Sequence, residues 1–506
     1  MKKTFLAICT FMLTGMTMAQ QAATNILINS EAGLRQIADY IADGTDAQCH
    51  FILTSDITLS GDWTPLGTPN SNNDTGSFTG TFDGQGHTIY NLNFKITDQD
   101  ANYMGLFGRI GYDGVVKNLN VVNSGAYAGI YANAGEKDGS RNIGTIAGVN
   151  HGTILNCTSN VNVYCNTQDV DGGGIAGENG AKGLIKNCIY TGRITPGEYN
   201  AIKIGGIVGD NETGGTLQNC YCQATIVGLS SNSSALYGQS HGEVNDCAYH
   251  YGDAYTGGVK LEGRTFYKDQ NWNTLCLPFD VNIQNSVFSD AIVMELDTKD
   301  KDPEGNSYAN PTGIAIDDIT GLNTLYLNFK PVTDIISKGR PYIFRWTTND
   351  PNGLVNPSFP GAILQDLIEG YEPKGITSTD TNVTFVGTFF SKDIEDKYGD
   401  PSIIYLGSGN QTYYPYDRMS INALRAYFKL NNGYKVYVET ETPEPGPSNV
   451  NAFNLNFNDE STAVLRIEAK EDQSGVVYDL SGRVVESDHL KPGIYIRGGK
   501  KFLIRK

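Results

Sequence analysis

YMGLFG at 103–108 and VKNL at 116–119 open a phrase that returns four more times: GTIAG at 144–148 with ILNC at 154–157, GGIAG at 173–177 with IKNC at 185–188, GGIVG at 205–209 with LQNC at 217–220, and SALYG at 234–238 with VNDC at 244–247. The closing glycines, Gly108, Gly148, Gly177, Gly209 and Gly238, stand 40, 29, 32 and 29 residues apart. Self-similarity of this kind marks stacked units, none of which buries its apolar side alone. Each unit is rich in Gly, Asn, Thr and β-branched residues, so it reads as short strands joined by tight turns rather than as a pair of helices. Units of about thirty residues with two or three strands fit one coil of a parallel β-helix, each coil lying about 4.8 Å from the last.

Stacking turns equivalent positions into columns. Leu106, Ile146, Ile175, Ile207 and Leu236 form one; Val116, Ile154, Ile185, Leu217 and Val244 a second; Leu119, Cys157, Cys188, Cys220 and Cys247 a third. All three are assigned to the core. Ile154 and Cys157 are three apart, and in a straight strand they would face opposite sides. Both face inward only if the chain bends between them, where Asn118, Asn156, Asn187, Asn219 and Asp246 sit. Asn and Asp tolerate left-handed backbone angles, so the spacing predicts a corner there. The alternative at the same positions is an inward asparagine ladder with stacked amides bonded to one another.

These residues, from about Trp63 to Tyr249, resemble the GLUG-motif family of secreted and surface proteins of Gram-negative bacteria. The first and last copies depart from the motif: Leu119 replaces the cysteine, and Ser234-Ala235 replaces the double glycine. The resemblance implies a right-handed β-helix with a surface or adhesive role, and it carries no catalytic residues to transfer.

With 506 residues, the chain has room for two to four domains. A formal charge of −18 with 37 basic residues argues against nucleic acid and anionic membrane surfaces as partners. Residues 1–20 read as a signal peptide: Lys2 and Lys3 lead an apolar run from Phe5 to Leu13, and Thr17-Met18-Ala19 offers small residues for cleavage. A lipoprotein signal at Cys9 is the alternative, but Leu6-Ala7-Ile8 lacks the small residue such a site wants. No other apolar run is long enough to span a bilayer. Ser30 to Asp43 reads as a capped helix with Leu34, Ile37, Ala38 and Ile41 on one face, covering the open end of the stack. It opens the β-helix domain at 25–252.

From 263 to 440 the texture changes to long aromatic and aliphatic strands such as TLYLNFKPV at 324–332, VTFVGTFF at 383–390 and LRAYFKL at 424–430, which suggest an antiparallel β-sandwich. WNTLCLPF at 272–279 and LRAYF at 424–428 resemble the start and end of a β module attached to many secreted proteins of gut Gram-negative bacteria; a packed core motif accounts for both. Pro443, Pro445 and Pro447 mark a semi-rigid linker at 441–452. VVYDLSGRVV at 476–485 and LKPGIYIRGGKKFLIRK at 490–506 resemble a type IX secretion sorting domain, assigned to 453–506; the alternative is an ordinary C-terminal β domain. The whole is read as an all-β chain: a right-handed parallel β-helix, an antiparallel β-sandwich and a small C-terminal β domain.

Little in the sequence speaks for chemistry. Four of the cysteines beyond the leader share one column, where parallel side chains do not converge as a disulfide requires, so mostly free thiols are expected. Cys220-Tyr221-Cys222 lacks the second ligand pair of a zinc site. Asp300 to Gly305 resembles the start of a calcium loop, but its twelfth position is Pro311 rather than glutamate. Asp169 and Asp171 are a weak calcium candidate for which a turn is the simpler account, and Asp83 with His87 reads as a turn rather than a catalytic pair. Acidic residues look scattered among turns, with no recurring carboxylate pair on one strand face. No catalytic, cofactor-binding or metal-ligating residue is assigned, and no cofactor is expected. The sequence favours a secreted or outer-surface adhesin or recognition protein binding glycans, host or matrix ligands. A β-helix polysaccharide lyase or hydrolase is the alternative, and a purely structural spacer a third.

Overall fold

The computed structural model describes residues 23–504 except 70–74, 97–101, 124, 126–128, 136–140, 168, 198–201, 228–234, 252–256, 317–322, 365–372, 397–398, 408–409, 411, 416, 437–448, 451, 458–460, 467–476, 480–483, 486–492 and 498–499. The leader expected at 1–20 and most of the linker expected at 441–452 lie outside the described residues.

The repeat forms a parallel β-helix with five strand positions per coil. One coil reads Thr153–Leu155, Thr158–Ser159, Asn162–Thr167, Val170–Gly173 and Ala176–Asn179, and the next begins at Leu184–Lys186 with Ile154 paired to Ile185. Strands at equivalent positions join into five sheets, called first to fifth in their order along a coil. All three core columns are buried, except that Val244, in the last coil, is only partly covered. The second column extends upstream of the phrase: Phe82 pairs with Val116, and Phe51 with Phe82. The segment before the repeat is therefore two further coils filled by aromatic rings.

The corner forms, and the alternative of an inward ladder does not: Asn156 is exposed, and the amides line the outside of the bend. Asn118, Asn156, Asn187, Asn219 and Asp246 have φ of 53°, 54°, 56°, 54° and 50°. Their amides also chain together: Asn156 donates to Asn118 at 3.0 Å, Asn187 to Asn156 at 2.9 Å and Asn219 to Asn187 at 3.0 Å. Asn118 closes the chain on Asp83 at 3.0 Å. A fully buried ladder lies elsewhere, inside the turn between the fifth and first sheets. There Asn150 donates to Asn179 and Asn179 to Asn211, both at 2.8 Å, and Asn211 donates to Ser240 Oγ at 3.0 Å. A buried amide that donates up the stack and accepts from below satisfies itself with its own repeats.

At the start of the helix, Thr24–Ile28 adds to the first sheet beside Cys49–Leu53. The helix expected at 30–43 is two short ones, Glu31–Arg35 and Ile37–Ala42, separated at Gln36. Ser30 caps the first through Gly33 N. Leu34, Ile37 and Ile41 join the core, whereas Ala38 is exposed, because the break rotates the second helix and packs Tyr40 edge-on against Phe51 instead.

After Cys247–Tyr251 the parallel growth ends: Gly258–Glu262 returns antiparallel to it and pairs in turn with Ser358–Pro360. Beyond lie two facing sheets. Phe329 and Leu327 of Asn323–Pro331 pack against Phe385 of Val383–Thr388 and Phe428 of Arg425–Leu430. WNTLCLPF and LRAYF meet there, with Cys276 N bonded to Leu424 O and Ala426 N to Thr274 Oγ1, as a packed core motif. Ala452–Asn456 and Ser461–Arg466 complete the larger sheet, the former running parallel to Asn323–Pro331. Ala452–Asn456 and Ser461–Arg466 thus belong with the sandwich rather than with the C-terminal unit, and Phe453, Leu455 and Phe457 alternate inward onto its core. Val477–Asp479, Val484–Val485, Gly493–Arg497 and Lys500–Ile504 form a separate four-stranded sheet.

The second sheet of the β-helix carries the sandwich. Ile189, Tyr221 and Ala248 share one apolar cluster with Phe279, Phe359 and Phe389. Tyr221 Oη donates to Phe389 O, Lys186 meets Asp393 at 3.0 Å, and His250 Nε2 accepts from Leu364 N at 2.8 Å. The sequence Cys220-Tyr221-Cys222 therefore alternates two core thiols around an anchor. Among the described residues no helix is long and apolar enough to cross a membrane.

Candidate functional site

The closing glycine of each phrase marks where the fourth and fifth sheets approach without room for a side chain. A Cβ on Gly177 would lie 2.3 Å from Ile143 N, and one on Gly209 2.5 Å from Gly172 N. This contact draws the side chains of two strand columns into one seam. The fourth sheet supplies Tyr103, Asn142, Asp171 and Lys203 in register. The fifth supplies Arg109, Val149, Glu178, Asp210 and Gln239.

Glu178 is the middle of the seam: Asn142 Nδ2 donates to its Oε2 at 2.9 Å, and His151 Nε2 lies 3.8 Å from its Oε1. Arg109 Nη2 is 3.1 Å from His151 Nδ1. The same Nη2 lies 3.5 Å from His151 Nε2, so the guanidinium sits against the nitrogen edge of the ring. Tyr112 stacks on the His151 ring at 4.9 Å, and the Lys182 ammonium lies 5.1 Å from the Tyr112 ring. One coil on, Lys203 bridges Asp210, to which it donates a hydrogen bond, and Asp171 at 3.5 Å.

Burial pushes the Asp171 carboxyl up to about 6, with Lys203 opposing and Asp210 and Glu178 adding to the rise. Burial raises Glu212 as well, reinforced by the same two neighbours. Lys203 is desolvated, yet Asp210 and Asp171 hold it above its ordinary value. Carboxylates that look scattered in the sequence are therefore gathered. Glu178 and Asp210 face each other across a coil, and such pairing is invisible to any search along a single strand. The legible signal was columnar: Glu178, Asp210 and Gln239 each follow the closing glycine of a phrase.

The other candidates stay apart from the seam. Asp83 accepts from its own turn at Gln85 N, from Asn118 and from Lys117, while His87 pairs with Asp56. Asp302 holds its loop by accepting from Asn306. Asp169 is a turn residue at φ 50°, whereas Asp171 lies in the strand Val170–Gly173, not in the turn expected of it. All eight cysteines from Cys49 to Cys276 are free and buried, and burial pushes Cys165 and Cys222 up to about 12. Among the described residues no three His, Cys, Asp or Glu side chains are placed to hold a metal. A second aromatic feature, Tyr131 stacked on Tyr164 at 4.2 Å, lies on the third sheet.

No family model matches the chain. It is 36% identical over 108 residues to halomucin of Haloquadratum walsbyi, covering 21% of this chain and 1% of halomucin. It is 33% identical over 137 residues to a protein named as a Gly-rich membrane protein of Evansella cellulosilytica, covering 26% of this chain and 14% of that one. The match thus spans a small part of either curated relative. Among solved structures, Pantoea stewartii WceF, a glycan biofilm modifying enzyme with a bacteriophage tailspike-like parallel β-helix fold, aligns over 86% of this chain and 71% of its own at 9% identity and a TM-score of 0.15.

Proposed function

We propose that this is a secreted or outer-surface recognition protein that binds glycans, or glycosylated host and matrix ligands, through the β-helix. The observation that carries the reading is the seam. Amide, carboxylate, imidazole, guanidinium and phenol groups from successive coils line up along it, a pattern suited to hydrogen bonding and stacking against sugars. The partial matches to halomucin and to a Gly-rich membrane protein support a place at the cell surface. The reading includes a GLUG-type repeat and a sorting function for the C-terminal sheet, in a Gram-negative cell. Antibody labelling of intact cells tests the location. Binding of the full chain to a glycan array, with no release of shorter sugars, tests recognition; a chain found only inside the cell and silent on the array overturns the reading.

A second reading, polysaccharide cleavage, is favoured by one observation. Asp171, pushed up to about 6, shares Lys203 with Asp210, and a pair of carboxyls in unlike environments is what acid–base cleavage of a glycosidic bond uses. Reducing ends released from a bound glycan, and lost in Asp171→Asn, would establish it over adhesion.

A further inference from the structure

The hydrogen-bonding balance of the seam indicates which glycans suit it. Its cations are engaged locally: Lys203 with Asp210 and Asp171, Arg109 with His151, and Lys182 against Tyr112. Two carboxylates, Glu178 and Asp210, stand close enough to raise the proton affinity of both Asp171 and Glu212. The buried seam atoms left without a hydrogen bond include two acceptors. Oδ1 of Asn142, in a residue 6% exposed, and Oδ1 of Asp210, in a residue 7% exposed, are buried and make no hydrogen bond. An anionic group would bring more acceptors and more negative charge to a place with a surplus of both. A hydroxyl or amide N–H brings the missing donor.

Two further features fit a sugar chain. Tyr112, stacked on His151 and 50% exposed at the rim of the seam, leaves the edge of its ring open to a sugar. The coils repeat at about 4.8 Å, close to the advance of one pyranose unit along a polymer, so successive coils meet successive units. The formal charge of −18 repels polyanions before contact.

We propose that the seam takes an uncharged, hydroxyl-rich saccharide chain laid along the coil axis and rejects uronate-bearing, sialylated and sulfated glycans, an inference that rests on the recognition reading above. The test presents the full chain to an array of uncharged hexose, N-acetylhexosamine and deoxyhexose oligosaccharides beside uronate, sialylated and sulfated ones. Hits confined to the uncharged set are expected. Asn142→Leu, which removes the orphaned acceptor, and Tyr112→Ala, at an exposed position that the coil stack does not need for folding, are each expected to weaken those hits at least tenfold. Hits among the acidic glycans leave recognition standing and overturn the inference. Uncharged hits that both variants retain at wild-type strength place the site elsewhere and overturn it as well. Silence across the array removes the recognition reading and the inference together.

Discussion

At Asn156 one residue does two things: its backbone turns the corner at φ 54°, and its amide links Asn118 to Asn187. The two roles separate by substitution. Asn156→Gly keeps the left-handed backbone and loses only the ladder contact, so a loss of about 1 kcal/mol is expected. Asn156→Ala adds left-handed strain of about 1–2 kcal/mol to that loss. Urea unfolding that ranks the two variants equal would show that the bend carries no strain. At Gly177 the constraint is steric: a Cβ would lie 2.3 Å from a backbone nitrogen of the neighbouring sheet. Gly177→Ala is expected to destabilise by about 1–3 kcal/mol or to abolish soluble expression, read by thermal denaturation.

At the scale of elements, the seam leaves a pH signature. The Asp171 pKa is raised in the fold, so between about pH 4 and about pH 6 the folded chain holds a proton that the unfolded chain has released. Its contribution to stability is therefore fully present at low pH and is lost as pH rises through that window. Asp171→Asn is expected to flatten this part of the stability curve relative to wild type and to raise stability at neutral pH by about 1–3 kcal/mol. Denaturant midpoints measured across that range check it; parallel curves for the two proteins would mean that the carboxyl titrates normally. The buried Asn150–Asn179–Asn211 ladder and the gathered carboxylates share one origin: each joins residues about one coil apart in sequence that the stack brings within hydrogen-bond reach.

For the whole molecule, the joint between β-helix and sandwich contains a pH-sensitive contact. His250 Nε2 accepts from Leu364 N, which a doubly protonated ring cannot do, and burial holds its pKa below the ordinary value. The sign is opposite to that of Asp171: the contribution is present above the unfolded histidine pKa, about 6.5, and is lost as pH falls below it. Amide exchange at Leu364 is expected to speed up between pH 7 and about pH 5, beyond the intrinsic pH dependence. In His250→Gln, whose side-chain oxygen still accepts, that excess is expected to vanish. Exchange that follows the intrinsic curve in both proteins would rule out a role for this histidine in the joint.

The recurrence of phrase, glycine and cysteine by itself determined the coil stack, its three core columns and the left-handed corner, because a solenoid core is built from near neighbours at a fixed period. It also determined that the four thiols of the repeat column stay unpaired, since parallel side chains do not converge. Four things were decided only in three dimensions: the second ladder, the seam around Glu178, the break at Gln36, and the return of Ala452–Asn456 and Ser461–Arg466 into the sandwich. In each of these, the partners lie on different coils, sheets or chain segments, and a polar residue does not announce in sequence which distant backbone will come to lie beside it.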